Sequence, residues 1–187
     1  MYISYSKRIF QLGGRILKEY ALKGVKTYPI NILPDERGFF SEALRTDWKD
    51  FIEGEPVNQI NLSYSYPNIV RAWHKHTRGQ IDHFLVVQGA MKICAYDEET
   101  RKMTDIVVSG KKPTIVRIPG QYLHGTKTVS SEPSLLVYFV NRLYDYKNPD
   151  ELRIAWNDTN IIPIEINGKT NDPRVGKPWD WFRSPNK

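Results

Sequence analysis

A chain of 187 residues with 27 Lys+Arg against 21 Asp+Glu, a net charge of +6 and 40% hydrophobic residues is long enough to form one domain around a full core. At this size roughly 70% of the unfolded surface is buried, so no metal or disulfide is needed merely to hold the chain together. No apolar run approaches the ~20 residues of a membrane span, and the start MYISYSKRIFQLGG lacks the continuous apolar core of a secretion signal, which points to a soluble, cytoplasmic protein with no membrane partner.

Residues 1–22 read as a short basic N-terminal arm. Ile9, Leu12, Ile16 and Tyr20 recur at helical spacing, but Gly13 and Gly14 interrupt them, and a partner surface is the simplest use for the segment. Lys7, Arg8, Arg15, Lys18, Lys23 and Lys26 face only Glu19 within the first 26 residues, so the rest of the chain is nearly neutral. No basic stripe interleaved with aromatics recurs there, which argues against nucleic-acid binding. Residues 23–187 form the expected domain. Short apolar runs predict strands at Val25–Ile32, Val57–Tyr64, Ile69–His76, Asp82–Val87, Ala90–Tyr96, Thr104–Val108, Thr114–Ile118 and Leu135–Asn141, divided by turns such as PDERG, SYPN and HTRGQ. Eight such strands fit an all-β jelly roll whose two antiparallel sheets enclose a cavity. After Tyr146 the chain turns polar and irregular, as suits a C-terminal segment that wraps the barrel and covers its mouth. Cys94, the only cysteine, excludes an internal disulfide and a cysteine-based zinc cluster, and reads as a small buried side chain.

Chemistry concentrates in a run of histidines. His74 and His76 lie two apart on one strand and therefore share a face. Asp82 starts the next strand; if it points inward, so do Phe84 and Val86, while His83 and Leu85 point away. His124 follows in Pro119-Gly120-Gln121-Tyr122-Leu123-His124. Imidazoles with one carboxylate suit a divalent transition metal with open positions, and the alternative is a polar strand end that stays unmetallated.

This pattern resembles the cupin superfamily, with its HxH, acid and glycine followed by P-x-G-x-x-H. A second resemblance covers roughly Lys23 to Trp156 and is to the dTDP-4-dehydrorhamnose 3,5-epimerase family. Its elements are similar to Asp35-Glu36-Arg37-Gly38-Phe39-Phe40-Ser41-Glu42, Gln59-Ile60-Asn61-Leu62-Ser63, Arg71-Ala72-Trp73-His74, Ile118–Gly125 and the strand tyrosine Tyr138. The resemblance implies a cupin jelly-roll sandwich or barrel, a homodimer in which an N-terminal strand or arm packs on its neighbour, and a nucleotide-sugar substrate. The implied reaction is proton removal beside a 4-keto group and reprotonation from the opposite face, with no cofactor required. Arg37, Phe40, Glu42, Gln59, Asn61, Arg71 and His124 are then substrate-binding candidates: guanidinium forks and amides meet a diphosphate, and Phe39 and Phe40 cover the base. His74 is the candidate base and Tyr138 the candidate acid.

Three departures qualify that picture. The family's lysine near the enolate oxygen aligns with Asp82, and the family has no histidine at position 76. A divalent metal held by His74, His76, Asp82 and His124 would replace the lysine as Lewis acid, which passes the role of base to His83 or an unidentified carboxylate. The family's C-terminal catalytic aspartate has only Asp172, in TNDPR, as a substitute by position. Two other functions remain open: a nucleotide-sugar 3,4-ketoisomerase, whose R-G-x-H-x-H element resembles Arg71–His76, and a metal cupin that is an oxygenase or small-molecule binder.

Overall fold

The short apolar runs condense into two facing sheets. The structure, a computed structural model, describes residues 9–12 and 15–184. The chain passes through β1 (Ile9–Leu12), β2 (Arg15–Glu19), β3 (Lys26–Pro29), β4 (Leu33–Asp35), β5 (Gly38–Phe40) and a single helical turn α1 (Lys49–Ile52). It continues as β6 (Gln59–Ser65), β7 (Val70–His76), β8 (Ile81–Gln88), β9 (Ala90–Tyr96), β10 (Lys102–Ser109) and β11 (Thr114–Pro119). The last strands are β12 (Leu123–Thr128), β13 (Ser134–Val140), β14 (Glu151–Arg153) and β15 (Glu165–Ile166). One sheet has the order β1-β2-β3-β11-β8-β13-β6 and the other β14-β7-β12-β9-β10-β15, with β4 and β5 as a separate pair. The pairings within the two sheets are antiparallel, apart from β10 with β15. This is the expected all-β jelly roll, with neither sheet closed on itself.

Strand alternation sorts the side chains into three packed layers. Met91, Ile93 and Ala95 of β9 meet Phe84 and Val86 of β8 and Val116 and Ile118 of β11 between the sheets. Burying each of these side chains larger than alanine contributes about 1.5–3 kcal/mol. The alternate residues of β9, Cys94 and Tyr96, face outward with Trp73, Met103 and Leu123, and are covered by Ile161, Trp179 and Trp181. On the far face of the larger sheet, Leu17, Leu85, Ile115 and Phe139 pack beneath Phe51 and Ile52 of α1.

The N-terminal end of the chain differs from expectation, and the C-terminal end does so only in part. Part of the basic arm is built into the larger sheet, where β2 pairs with β3 through Lys18↔Thr27 and Glu19↔Lys26, and Leu17 and Leu22 are buried. Sheet pairing overrides the helical spacing; the Gly13–Gly14 break lies outside the described residues. The C-terminal segment does wrap the barrel: Trp179 and Trp181 seal the outer face of the smaller sheet, while Glu151 and Arg153 line the cavity between the sheets. Among the described residues no helix is long and apolar enough to cross a membrane.

Candidate active site

The site begins with an irregularity in β7. His74 lies opposite His124 and Arg71 opposite Thr126, so three steps along β7 match two along β12. The extra residue is a bulge. It brings Arg71 into phase with His74 and His76, and all three line one cavity of about 580 Å³ between the sheets. Strict alternation would have turned Arg71 away from the histidines. Gly125 faces the bulge: a Cβ there would lie 2.3 Å from Ala72 Cβ and 2.8 Å from the Arg71 carbonyl oxygen. Gly120 lies equally close, since its Cβ would sit 2.5 Å from the Gln80 carbonyl oxygen and 2.8 Å from His76 Cβ. Its own carbonyl accepts from the His76 N–H at 2.7 Å, tying the second histidine motif to the first.

His74 and His76 line the cavity floor, and the fully buried His124, expected to bind substrate, lies behind them instead; His74 and His124 are 4.1 Å apart between ring centroids, and His76 lies 5.7 Å from each. One ring nitrogen from each of the three falls within 4.8 Å of the others. Asp82, almost fully buried, points inward as alternation requires, with Phe84 and Val86 on its side of β8. Its Oδ1 accepts from Gln80 Nε2 at 3.0 Å, while Oδ2 stands 3.1 Å from His124 Nε2 and 3.7 Å from His76 Nε2. His124 Nδ1 lies 2.8 Å from the Tyr122 carbonyl and, as the donor there, leaves its Nε2 lone pair turned to the carboxylate. Those two facing acceptors, His124 Nε2 and Asp82 Oδ2, are both buried without a hydrogen-bond partner. A proton or a metal cation shared between them resolves the conflict. The backbone bond on the opposite ring nitrogen is the support a metal-ligating histidine ordinarily has. The donor set therefore fits a divalent ion. Burial, aided by the neighbouring His124 and His76, lowers the His74 pKa to about 2, so His74 is a neutral imidazole, suited to ligation and poor as a base.

The walls carry the remaining chemistry. Tyr138 reaches in from β13 on the larger sheet, and Glu151 from β14 on the smaller one. Burial, reinforced by Asp82 and Glu151, raises the Tyr138 phenol above its ordinary value, so it holds its proton at neutral pH. Glu151 Oε1 stands 4.0 Å from His74 Nδ1, and its Oε2 accepts from Arg153 at 2.8 Å. Gln59 and Asn61 face the cavity from alternate positions of β6, joined by a 2.7 Å bond from Gln59 Nε2 to Asn61 Oδ1. Arg71 Nε donates to Ser65 Oγ at 2.9 Å, which aims its guanidinium. Arg142 and Arg153 also line the cavity, with Tyr144 and Tyr146 beside them, edge to face at 5.0 Å.

The structure thus gathers Gln59, Asn61, Arg71, His74, His76, Asp82, His124 and Tyr138 at one place. It separates the others. Asp172 is held by Arg174 beneath the outer face of the smaller sheet, in a different cavity, and is not a catalytic aspartate of this site. His83 points to the opposite face of β8, against Phe51 and 3.6 Å from Glu55 Oε2, so it cannot replace His74 as base. Arg37, Phe39 and Phe40 lie on or beside the β4–β5 pair; Arg37 bonds Asp35, both rings are exposed, and none lines the chain's own cavity. Glu42, bonded to Arg45, is also outside it. The reason is pairing: β4 and β5 bond only to each other, and neither belongs to the sheets that form the cavity.

Sequence reasoning missed Glu151, Arg142, Arg153, Tyr144 and Tyr146. They follow β13 in a polar stretch without periodicity, and only the pairing of β14 with β7, Arg153 opposite His74, brings Glu151 inward.

Comparison with known proteins gives the same direction. A family model described as the polysaccharide biosynthesis C-terminal domain matches residues 33–152. The chain is 37% identical over 138 residues to the "Probable low-salt glycan biosynthesis epimerase Agl13" of Haloferax volcanii, covering 71% of this chain and 87% of that protein. It is 32% identical over 145 residues to the "Spore coat polysaccharide biosynthesis protein SpsL" of Bacillus subtilis, covering 75% and 93%. Among solved structures, dTDP-4-dehydrorhamnose 3,5-epimerase from Sulfolobus tokodaii superposes with a TM-score of 0.64 at 25% identity, covering 76% of this chain and 82% of that one.

Proposed function

Because the chain belongs to the polysaccharide biosynthesis C-terminal domain family, we propose that it is a carbohydrate epimerase acting on a nucleotide-linked 4-keto-6-deoxyhexose in deoxysugar or glycan biosynthesis. The observation that carries this reading is the placement of Tyr138 and Glu151 on opposing sheets of one arginine-lined cavity. Inversion at a carbon beside a ketone needs a base on one face of the ring and an acid on the other. Glu151 takes the proton, and Tyr138, kept protonated, returns one from the opposite wall. Arg71 with Gln59 and Asn61 meets the diphosphate, and Tyr144 with Tyr146 offers the nucleobase an aromatic surface.

His74, His76 and His124, with Asp82, would hold a divalent transition ion, which supplies positive charge to an enolate oxygen where the related epimerases are expected to place a lysine. In this reading His74 is a ligand and Glu151 the base. We also propose a homodimer. A second copy's β4–β5 pair would bring Arg37, Phe40 and Glu42 to the cavity, and the exposed Leu33, Phe39 and Phe40 together with Ile60 and Leu62 on β6 give such an association apolar surface.

Incubation with dTDP-4-keto-6-deoxyglucose in heavy water tests the assignment. Deuterium at ring carbon 3, or at 3 and 5, with the ketone still at carbon 4 is expected. A ketone moved to carbon 3 transfers the chain to the ketoisomerase reading, and no exchange with any nucleotide form of the sugar ends the proposal. Elemental analysis of the purified protein should find about one metal equivalent, and less than about a tenth removes the ion.

A further inference from the structure

A second cavity, of about 530 Å³, opens on the outer face of the smaller sheet, and no residue lines both it and the candidate active site. Its base is an unusual pair. Lys92 of β9 and Lys127 of β12 are direct cross-strand partners, so both side chains leave the same face. The neighbouring pairs in that row, Gly125↔Cys94 and Leu123↔Tyr96, are apolar or small, and Lys92 and Lys127 are themselves only 6% and 7% exposed. Like charges set directly opposite one another destabilise a sheet, and burial adds to the cost.

Among the described residues no carboxylate lies within ion-pair distance of either ammonium group, and the negative charge felt by Lys127 is that of Asp180. Lys92 Nζ donates to the backbone carbonyls of Trp181 and Arg183 at 3.3 and 3.4 Å, and Lys127 Nζ stands 4.1 Å over the ring of Phe182. The cavity's carboxylates, Asp105 and Asp172, share Arg174, which leaves one negative charge against three lining lysines, Lys92, Lys127 and Lys169. Burial and then Lys92 lower the Lys127 pKa, with Asp180 opposing them. Two buried cations facing a roomy cavity are balanced most directly by an anion that enters it.

We propose that this cavity is a second binding site, separate from the sugar-nucleotide site, for a phosphate group carried on a sugar-sized body. Lys92 and Lys127 bind the phosphate, and the exposed part of the Phe182 ring meets the body. The cavity is far larger than phosphate alone requires, and Phe182 is half exposed at its edge.

The test is amide NMR of the labelled full chain, titrated at constant ionic strength with inorganic phosphate and, separately, with α-D-glucose 1-phosphate. Saturable shifts at Lys127, Trp181 and Phe182 are expected, while Arg71 and Tyr138 report the other cavity independently. Tighter binding of the sugar phosphate supports a carried phosphate, whereas equal binding supports the anion site and removes the sugar-sized body. Lys92→Gln with Lys127→Gln should weaken saturation roughly tenfold or more, without lowering the melting temperature in phosphate-free buffer. Lys127→Gln alone breaks no hydrogen bond described in the structure and serves if the double variant folds poorly. Shifts that grow linearly, that sodium chloride reproduces, or that survive in the variants overturn the proposal.

Discussion

Gly125→Ala probes whether the bulge in β7 builds the site. The new Cβ would lie 2.3 Å from Ala72 Cβ and 2.8 Å from both Ala72 Cα and the Arg71 carbonyl oxygen. Carbon atoms in contact prefer about 3.5–4.0 Å. Two of the three obstacles are backbone, so β7 must retreat by roughly 1 Å instead of turning a side chain aside. Overpacking of this kind costs about 1–3 kcal/mol. For a chain of this length, with about 2–4 °C per kcal/mol, calorimetry should show a melting temperature lower by about 2–12 °C. The same retreat carries Arg71 and His74 out of position, and a misplacement near 1 Å lowers turnover by about 100-fold. Adding Ala72→Gly should recover part of both losses, since it removes the closest contact but leaves the Arg71 carbonyl in place. A Gly125→Ala protein that melts within about 1 °C of wild type and turns over normally would refute the argument that this glycine admits the bulge.

Three further outcomes follow from the geometry. Tyr138→Phe should lower turnover by about 10²–10⁴-fold in the heavy-water assay while leaving nucleotide affinity unchanged, and full activity would remove the phenol from the reaction. Glu151→Gln should cause a loss of similar size, about 10²–10⁴-fold, with melting temperature preserved; retained exchange would assign proton removal to another group. Asp172 tests stability without touching the site, because Arg174 bonded to it holds its carboxyl below the ordinary carboxylate range. A carboxyl depressed in the folded state stabilises fully above its unfolded pKa near 4, and that contribution fades as pH falls through the lower folded value. Asp172→Asn should therefore flatten the acid limb of the melting curve below about pH 4 and leave turnover at neutral pH intact; an unchanged acid limb would contradict the ion pair.

The fold was legible wherever a strand buries a face. Ala90–Tyr96 alternates between the inner cluster of Met91 and Ile93 and the outer one of Cys94 and Tyr96, and its apolar run marks it in the sequence. β12 escaped notice because Leu123-His124-Gly125-Thr126-Lys127-Thr128 carries almost no apolar residues, although every position is buried. Its inward residues His124 and Thr126 sit among the polar groups of the site, and its outward Gly125 and Lys127 serve the bulge and the lysine pair. A strand given over to polar contacts on both faces loses the pattern by which strands are recognised.

The site divides along a similar line. His74 and His76 share a face by alternation alone, and Asp82 with Phe84 and Val86 obeys the same rule, so the histidine cluster could be assembled from spacing. Arg71 could not, because its phase depends on an inserted residue that only the pairing of β7 with β12 reveals. Glu151 depends on a longer connection: it enters from β14, with its neighbour Arg153 paired to His74, after a stretch with no periodicity. Arg37 and Phe40 mark the opposite failure, since their motif is plain in sequence while their position in one chain lies outside the cavity that holds the histidines. A motif that is clear locally but unplaced in the monomer is what an interface residue looks like. For that reason the oligomeric state and the role of Arg37 stand together: if Arg37→Gln weakened nucleotide binding in a protein that sedimented as a monomer, the hairpin would have to reach its own cavity by moving, and the proposed homodimer would lose its support.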